Sequence, residues 1–239
     1  VGERRAIFPG GAVIDFVSLL YADQSLDALE SLRPARGVEG GMQTLYEARR
    51  LELAGMRDQA VDLLRTLTQD QQAESRMRLW AATALRSWGS LPHTSDHPVA
   101  LGVVVEIAAD GNKEEAIAAY RDGSMRYARG GVPLAIYQGG DPASDHAIRV
   151  ILERADRMLS AQDVGGTGTR PRITLLTLRG NTDATRRSGA NELISDLAKL
   201  LTALLSMRGR SQGRRFAIGK DRVSTADALT TSTQVRRPA

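Results

Sequence analysis

The chain of 239 residues contains no cysteine. That excludes disulfides, thiolate metal sites and cysteine nucleophiles. Histidine is scarce, with three copies, and aromatic residues make up 4%. Lysine occurs three times against 29 arginines. No apolar run approaches the roughly 18 residues that a membrane-crossing helix needs. The longest apolar stretches, 13–22 and 193–205, are interrupted by Asp15, Asp196 and Lys199 and read as amphipathic helices. The opening residues Val-Gly-Glu-Arg-Arg lead into no signal-like apolar region.

What is present is ordinary for a globular protein. The chain is 42% hydrophobic and 25% charged, with a net charge of +4. The charge is unevenly placed. Residues 206–239 hold Arg208, Arg210, Arg214, Arg215, Lys220, Arg222, Arg236 and Arg237 against Asp221 and Asp227, a net of +6, which leaves −2 for the rest. The basic character therefore belongs to the end of the chain and does not make the remainder a nucleic-acid binder.

The first 90 residues read as helical. Residues 12–22 (AVIDFVSLLYA) predict a buried helix, and Ser25 caps a second one bearing Leu26, Leu29 and Leu32. Over 42–67, Ala48, Leu51, Ala54, Gly55, Ala60, Leu63, Leu64 and Leu67 predict two antiparallel helices joined near 55–57, with Ala54 and Ala60 allowing close approach. This segment resembles one tetratricopeptide-type helical hairpin. A third helix is expected over 71–88, without a further copy of the repeat.

After the proline-containing linker 89–98 the periodicity changes. Leu101–Ala108, Glu115–Tyr120, Met125–Ala128 and Pro133–Tyr137 read as strands, with turns at Asp110-Gly111-Asn112, Asp122-Gly123 and Gly130–Gly131. Asp122-Gly123 predicts a two-residue hairpin turn with positive φ at both positions. Asp141-Pro142 opens a helix to about residue 161, Arg172–Leu178 is a strand, and 191–207 is an amphipathic helix with Leu193, Ile194, Leu197, Leu200, Leu201, Leu204 and Leu205 inward. The expected class is α+β: N-terminal helical hairpins (1–90), then a mostly antiparallel β-β-β-β-α-β-α domain (99–207) whose two helices cover one face, then a flexible basic tail (208–239). The residues Tyr120, Asp122, Gly123, Arg126, Tyr127, Gly130 and Gly131 form a Tyr-x-Asp-Gly-x-x-Arg-Tyr pattern. It resembles a hairpin segment of a bacterial protein family of unassigned function. The resemblance implies a bacterial, cytoplasmic module and no catalytic residue.

Few groups suggest chemistry. His93, Asp96 and His97 sit in the linker and read as solvated, and His146 with Asp145 reads as helix surface, so no metal, cofactor or catalytic residue is expected. The GGTGT run at 165–169 lacks the lysine and the strand-to-helix context of a phosphate loop. The loop 179–191 does lie between a strand and a helix, and Arg186, Arg187 and Ser188 there form the candidate anion site. The expected function is a non-enzymatic protein-interaction or adaptor module. The alternatives are a phosphate- or nucleotide-binding enzyme or sensor using the 179–191 loop, and nucleic-acid binding through the C-terminal tail. A protein partner is expected, a membrane is not, and no feature points to an oligomeric state.

Overall fold

The computed structural model describes residues 6–7, 13–14, 16–31, 40–91, 98–108, 114–129, 132–161 and 171–210. The linker histidines, the glycine run at 165–169, the turns at 110–112 and 130–131, Leu32 and the tail from 211 lie outside them.

The N-terminal segment differs from the single helix expected over 12–22. Strand β1 (Ala6–Ile7) pairs antiparallel with β2 (Val13–Ile14), and only Phe16–Leu20 form helix α1. The β-branched Val13-Ile14 pair prefers the strand. Helix α2 (Leu26–Ser31) follows, and the Ser25 hydroxyl accepts the Ala28 amide at 3.2 Å as the expected cap.

Helices α3 (Gly41–Leu53), α4 (Arg57–Gln69) and α5 (Ser75–Ser87) run up, down and up, with neighbours in contact. Ala48 and Ala60 are buried between them, whereas Ala54 is exposed. Ala48, five residues before the end of α3, thus takes the role expected of Ala54.

A six-stranded antiparallel sheet follows. Its strands are β3 (Gly102–Ala108), β4 (Glu114–Tyr120), β5 (Met125–Arg129), β6 (Val132–Tyr137), β7 (Arg172–Thr177) and β8 (Gly180–Asp183), in the spatial order β6-β5-β4-β3-β7-β8. The first four form the expected meander. Strand β8 was not expected: Gly180–Asp183 fold back on β7 instead of forming a loop, with Leu175 opposite Thr182. Its polar residues suit an edge position, where one face meets water.

Helices α6 (Pro142–Ser160) and α7 (Ala190–Arg210) complete the chain. The Asp141 carboxylate caps α6 by accepting the Ser144 amide at 2.9 Å, with Pro142 in the first turn. Alternation along the strands gives the sheet two apolar faces. Val103, Val105, Ile117, Ala119, Met125, Ile173 and Leu175 pack against Ile148, Ile151, Leu152, Leu193 and Leu197 of α6 and α7. Val104, Ala116, Ala118, Tyr120, Ala128 and Leu176 pack against α1 to α5. The helices α6 and α7 therefore cover one face, as expected, and the N-terminal helices cover the other. The N-terminal helices and the sheet share a core, because their apolar stripes have no other surface of comparable size to bury against. Among the described residues no helix is long and apolar enough to cross a membrane.

Candidate functional site

The β4–β5 hairpin carries the Tyr-x-Asp-Gly-x-x-Arg-Tyr pattern, and its geometry shows what each residue does. The turn is not the two-residue type. The Gly123 amide donates to the Tyr120 carbonyl at 3.0 Å, and the Tyr120 amide donates to the Ser124 carbonyl at 2.9 Å. Gly123 has φ of +83°, while Asp122 is not in the positive-φ region. This is a three-residue turn, Arg121-Asp122-Gly123, in which glycine alone takes the left-handed position.

Asp122 looks away from its own strand. Its Oδ2 accepts the Ser75 amide at 2.6 Å and its Oδ1 accepts the Ser124 amide at 2.8 Å. Ser75 opens α5, whose own N-cap residue, Glu74, makes no side-chain cap bond. Asp122 thus caps α5 from another element. Ser75 reciprocates, its hydroxyl accepting the Asp122 amide at 3.1 Å.

The Glu74 carboxylate is instead used by two arginines. Arg76 Nε donates to Glu74 Oε1 at 2.6 Å, and Arg126 Nη2 donates to the same oxygen at 3.0 Å. Both arginines are buried, at 3% relative exposure each. The Arg76 guanidinium lies 5.5 Å from the Trp80 ring centroid and 6.0 Å from that of Tyr120, within reach of cation–π attraction. Burial pushes the Glu74 carboxyl up, but the two guanidiniums outweigh it and hold its pKa below the usual value. Burial together with Arg76 lowers the pKa of Arg126.

The tyrosines of the pattern face opposite ways. Tyr120 stands over Gly102, where a Cβ would come within 2.8 Å of its ring, and its hydroxyl donates to the Leu20 carbonyl at 2.6 Å. Tyr127 packs on the α6–α7 side. Residues 120–127 therefore form a joint holding α1 and α5 on the sheet. Both Asp122 oxygens bond backbone amides, and Glu74 Oε1 is shared by two guanidiniums.

No family model, curated protein or solved structure matches this chain.

Of the candidate anion residues, Arg187 is engaged by the end of α6. Arg187 Nη1 donates to the carbonyls of Met158 at 2.6 Å and Leu159 at 2.9 Å, at the C-terminal end of α6 where a cation is favoured. Arg186 and Ser188 are exposed. Asp183 has a lowered pKa, chiefly through its bonds to Thr185, with a smaller contribution from Arg186.

A second surface lies where α3 ends, α4 begins and α5 ends. Leu53, Met56 and Leu91 are exposed there, at 71%, 39% and 79%. Arg57 Nη2 donates to the Trp88 carbonyl at 2.7 Å, which ties the start of α4 to the end of α5. Beside it is a shallow groove of about 290 Å³ lined by Arg57, Asp58, Val61, Asp62, Arg65 and Ser90. Sequence reasoning singles out none of these residues. Leu53 continues the apolar stripe of α3 in the sequence, and only the packing shows that it projects past its neighbours. Glu74 and Arg76 are equally hidden, because their partner Arg126 is 52 residues away from Glu74.

Proposed function

We propose that this chain is a non-enzymatic protein-interaction module whose docking surface is the Leu53–Met56–Leu91 end of the helical layer. The observation that carries this reading is that Leu53 at the end of α3, Met56 before α4 and Leu91 beyond α5 all stand in water, at the end of the helical layer where Arg57 ties α4 to α5. Single exposed leucines are common, but a group rimmed by charges is typical of a docking surface. The occupant it suits is an amphipathic segment of another protein. Apolar side chains of that segment would cover Leu53 and Leu91, and its polar groups would meet Asp58, Asp62 and Arg65 in the groove. The likeness of 42–67 to a tetratricopeptide-type hairpin supports the same reading, since such hairpins present helix surfaces to peptides. The cysteine-free composition and the hairpin resemblance support a bacterial cytoplasmic setting.

The test is site-specific photocrosslinking in the source cells. A photoreactive side chain replaces Leu53 or Leu91 in turn, and exposed Arg149 on α6 serves as control. A protein captured at both leucine sites and not at Arg149 is then purified and titrated against the chain. Binding that weakens at least about tenfold, roughly 1.4 kcal/mol, in Leu53→Asp supports the reading. The same products at all three sites, or binding unaffected by Leu53→Asp, overturns it.

A further inference from the structure

The sheet is covered by different chemistry on its two faces. On the α6–α7 side the buried core holds no charged side chain among the described residues; it is built from Val103, Val105, Ile117, Ile148, Ile151 and Leu197 among others, with Ser144 of α6 a buried hydroxyl. The only buried charged side chains among the described residues, Arg76 and Arg126, lie on the other side, bridged by Glu74. Buried polar atoms without a hydrogen-bond partner occur on both sides, Trp80 Nε1, Ser124 Oγ and Arg126 Nε on this one and Arg154 Nε on α6, so the buried charges are what set this side apart. The sheet residues facing α1–α5 there include the small Gly102, Ala116, Ala118 and Ala128.

These features lower the cost of parting the two layers, which must still break the Asp122–Ser75 caps and the Tyr120–Leu20 bond of the joint. Small side chains contribute little apolar area to an interface. Buried ion pairs contribute little net stability, because desolvation offsets their attraction, and that desolvation is recovered when water returns. Buried donors without partners also gain water on opening. We propose that the helical layer α1–α5 swings off the sheet as a unit along this ionic seam under native conditions, while α6 and α7 remain packed. The opening is a sub-global event of lower free energy than complete unfolding. It uncovers the alanine-lined face of β3, β4 and β5, and it does not depend on the docking surface proposed above.

The absence of cysteine makes the test clean, since one introduced thiol is the only reactive group. Ala118 and Ala119 are neighbours on β4, both fully buried, and they face opposite layers. Single Ala118→Cys and Ala119→Cys variants are mixed with a chromogenic disulfide reagent at several urea concentrations below the unfolding transition. The Ala118→Cys variant is expected to label at least about tenfold faster than Ala119→Cys, with a shallower urea dependence, because a partial opening exposes less surface. Equal rates with equal urea slopes would show that only global unfolding exposes either site and would overturn the proposal. Circular dichroism checks that both variants fold. Ala116→Cys and Val105→Cys repeat the comparison on the same two faces.

Discussion

Asp122 and Ser75 cap each other across 47 residues of chain, each accepting the other's backbone amide, at 2.6 Å and 3.1 Å. A turn of the sheet thereby supplies the N-cap that α5 does not supply for itself. Asp122→Ala leaves the Ser75 and Ser124 amides without a protein acceptor and is expected to cost about 1–2 kcal/mol, the range for a lost cap. Asp122→Asn retains one carbonyl acceptor and should lose less. Urea denaturation of the three proteins reads this directly. Equal midpoints would show that water replaces the carboxylate at no cost.

Glu74 sits between two buried arginines, so removing it alone strands two cations. Glu74→Ala is expected to destabilise by about 3–5 kcal/mol. Replacing Glu74, Arg76 and Arg126 together with apolar residues of similar volume should be near neutral or stabilising. A triple variant that loses as much as the single one would contradict this account of the joint.

The same residue sets a pH dependence. The folded-state pKa of Glu74 is lowered by Arg76 and Arg126 despite its burial, while the unfolded chain titrates near about 4.3. The folded state therefore binds fewer protons in this window. The stabilisation is complete above about pH 5 and is lost as pH falls through the folded pKa. Wild type should lose more stability than Glu74→Gln between about pH 5 and pH 3. Parallel pH profiles would show that Glu74 is not coupled to the arginines.

Gly123 is the one residue of its turn with positive φ, at +83°. Gly123→Ala should cost about 1–2 kcal/mol from backbone strain, and Gly123→Val more. A melting temperature unchanged in both would mean that the turn relaxes to another type.

On the opposite layer, Leu197 of α7 is 1% exposed, whereas Leu201 is only partly buried. Leu197→Ala is expected to cost about 2–5 kcal/mol, and Leu201→Ala less. Calorimetry of the pair checks the order. The reverse order would place the buried face of α7 one turn further along.

Much of the fold was legible because its signals are local. The short β-branched run of β3 and the glycine turns set the strands, Asp141-Pro142 set the start of α6, and the leucine stripe set α7. What escaped depends on distant partners. Residues 12–22 carry enough apolar side chains for a helix, yet Val13–Ile14 pair with Ala6–Ile7. Gly180–Asp183 look like a loop until β7 is beside them. Asp122-Gly123 signals a hairpin, but whether the turn has two residues or three depends on where Tyr120 and Ser124 pair. Of the candidate sites, Arg186, Arg187 and Ser188 were legible as a polar loop before a helix. The attachment of Arg187 to the end of α6 was not. The hairpin pattern stood out as a pattern, while its role as a joint needed Glu74, Ser75 and Arg76 brought to it by the fold.

The most direct measurement of the proposed function compares binding with stability in one variant. Leu53→Asp/Leu91→Asp changes only exposed side chains, so its thermal transition should stay within about 2 °C of wild type. Titration calorimetry against the protein captured at these positions should show affinity reduced at least about tenfold per leucine removed. A stable double variant that binds its partner as tightly as wild type would contradict the assignment of this surface.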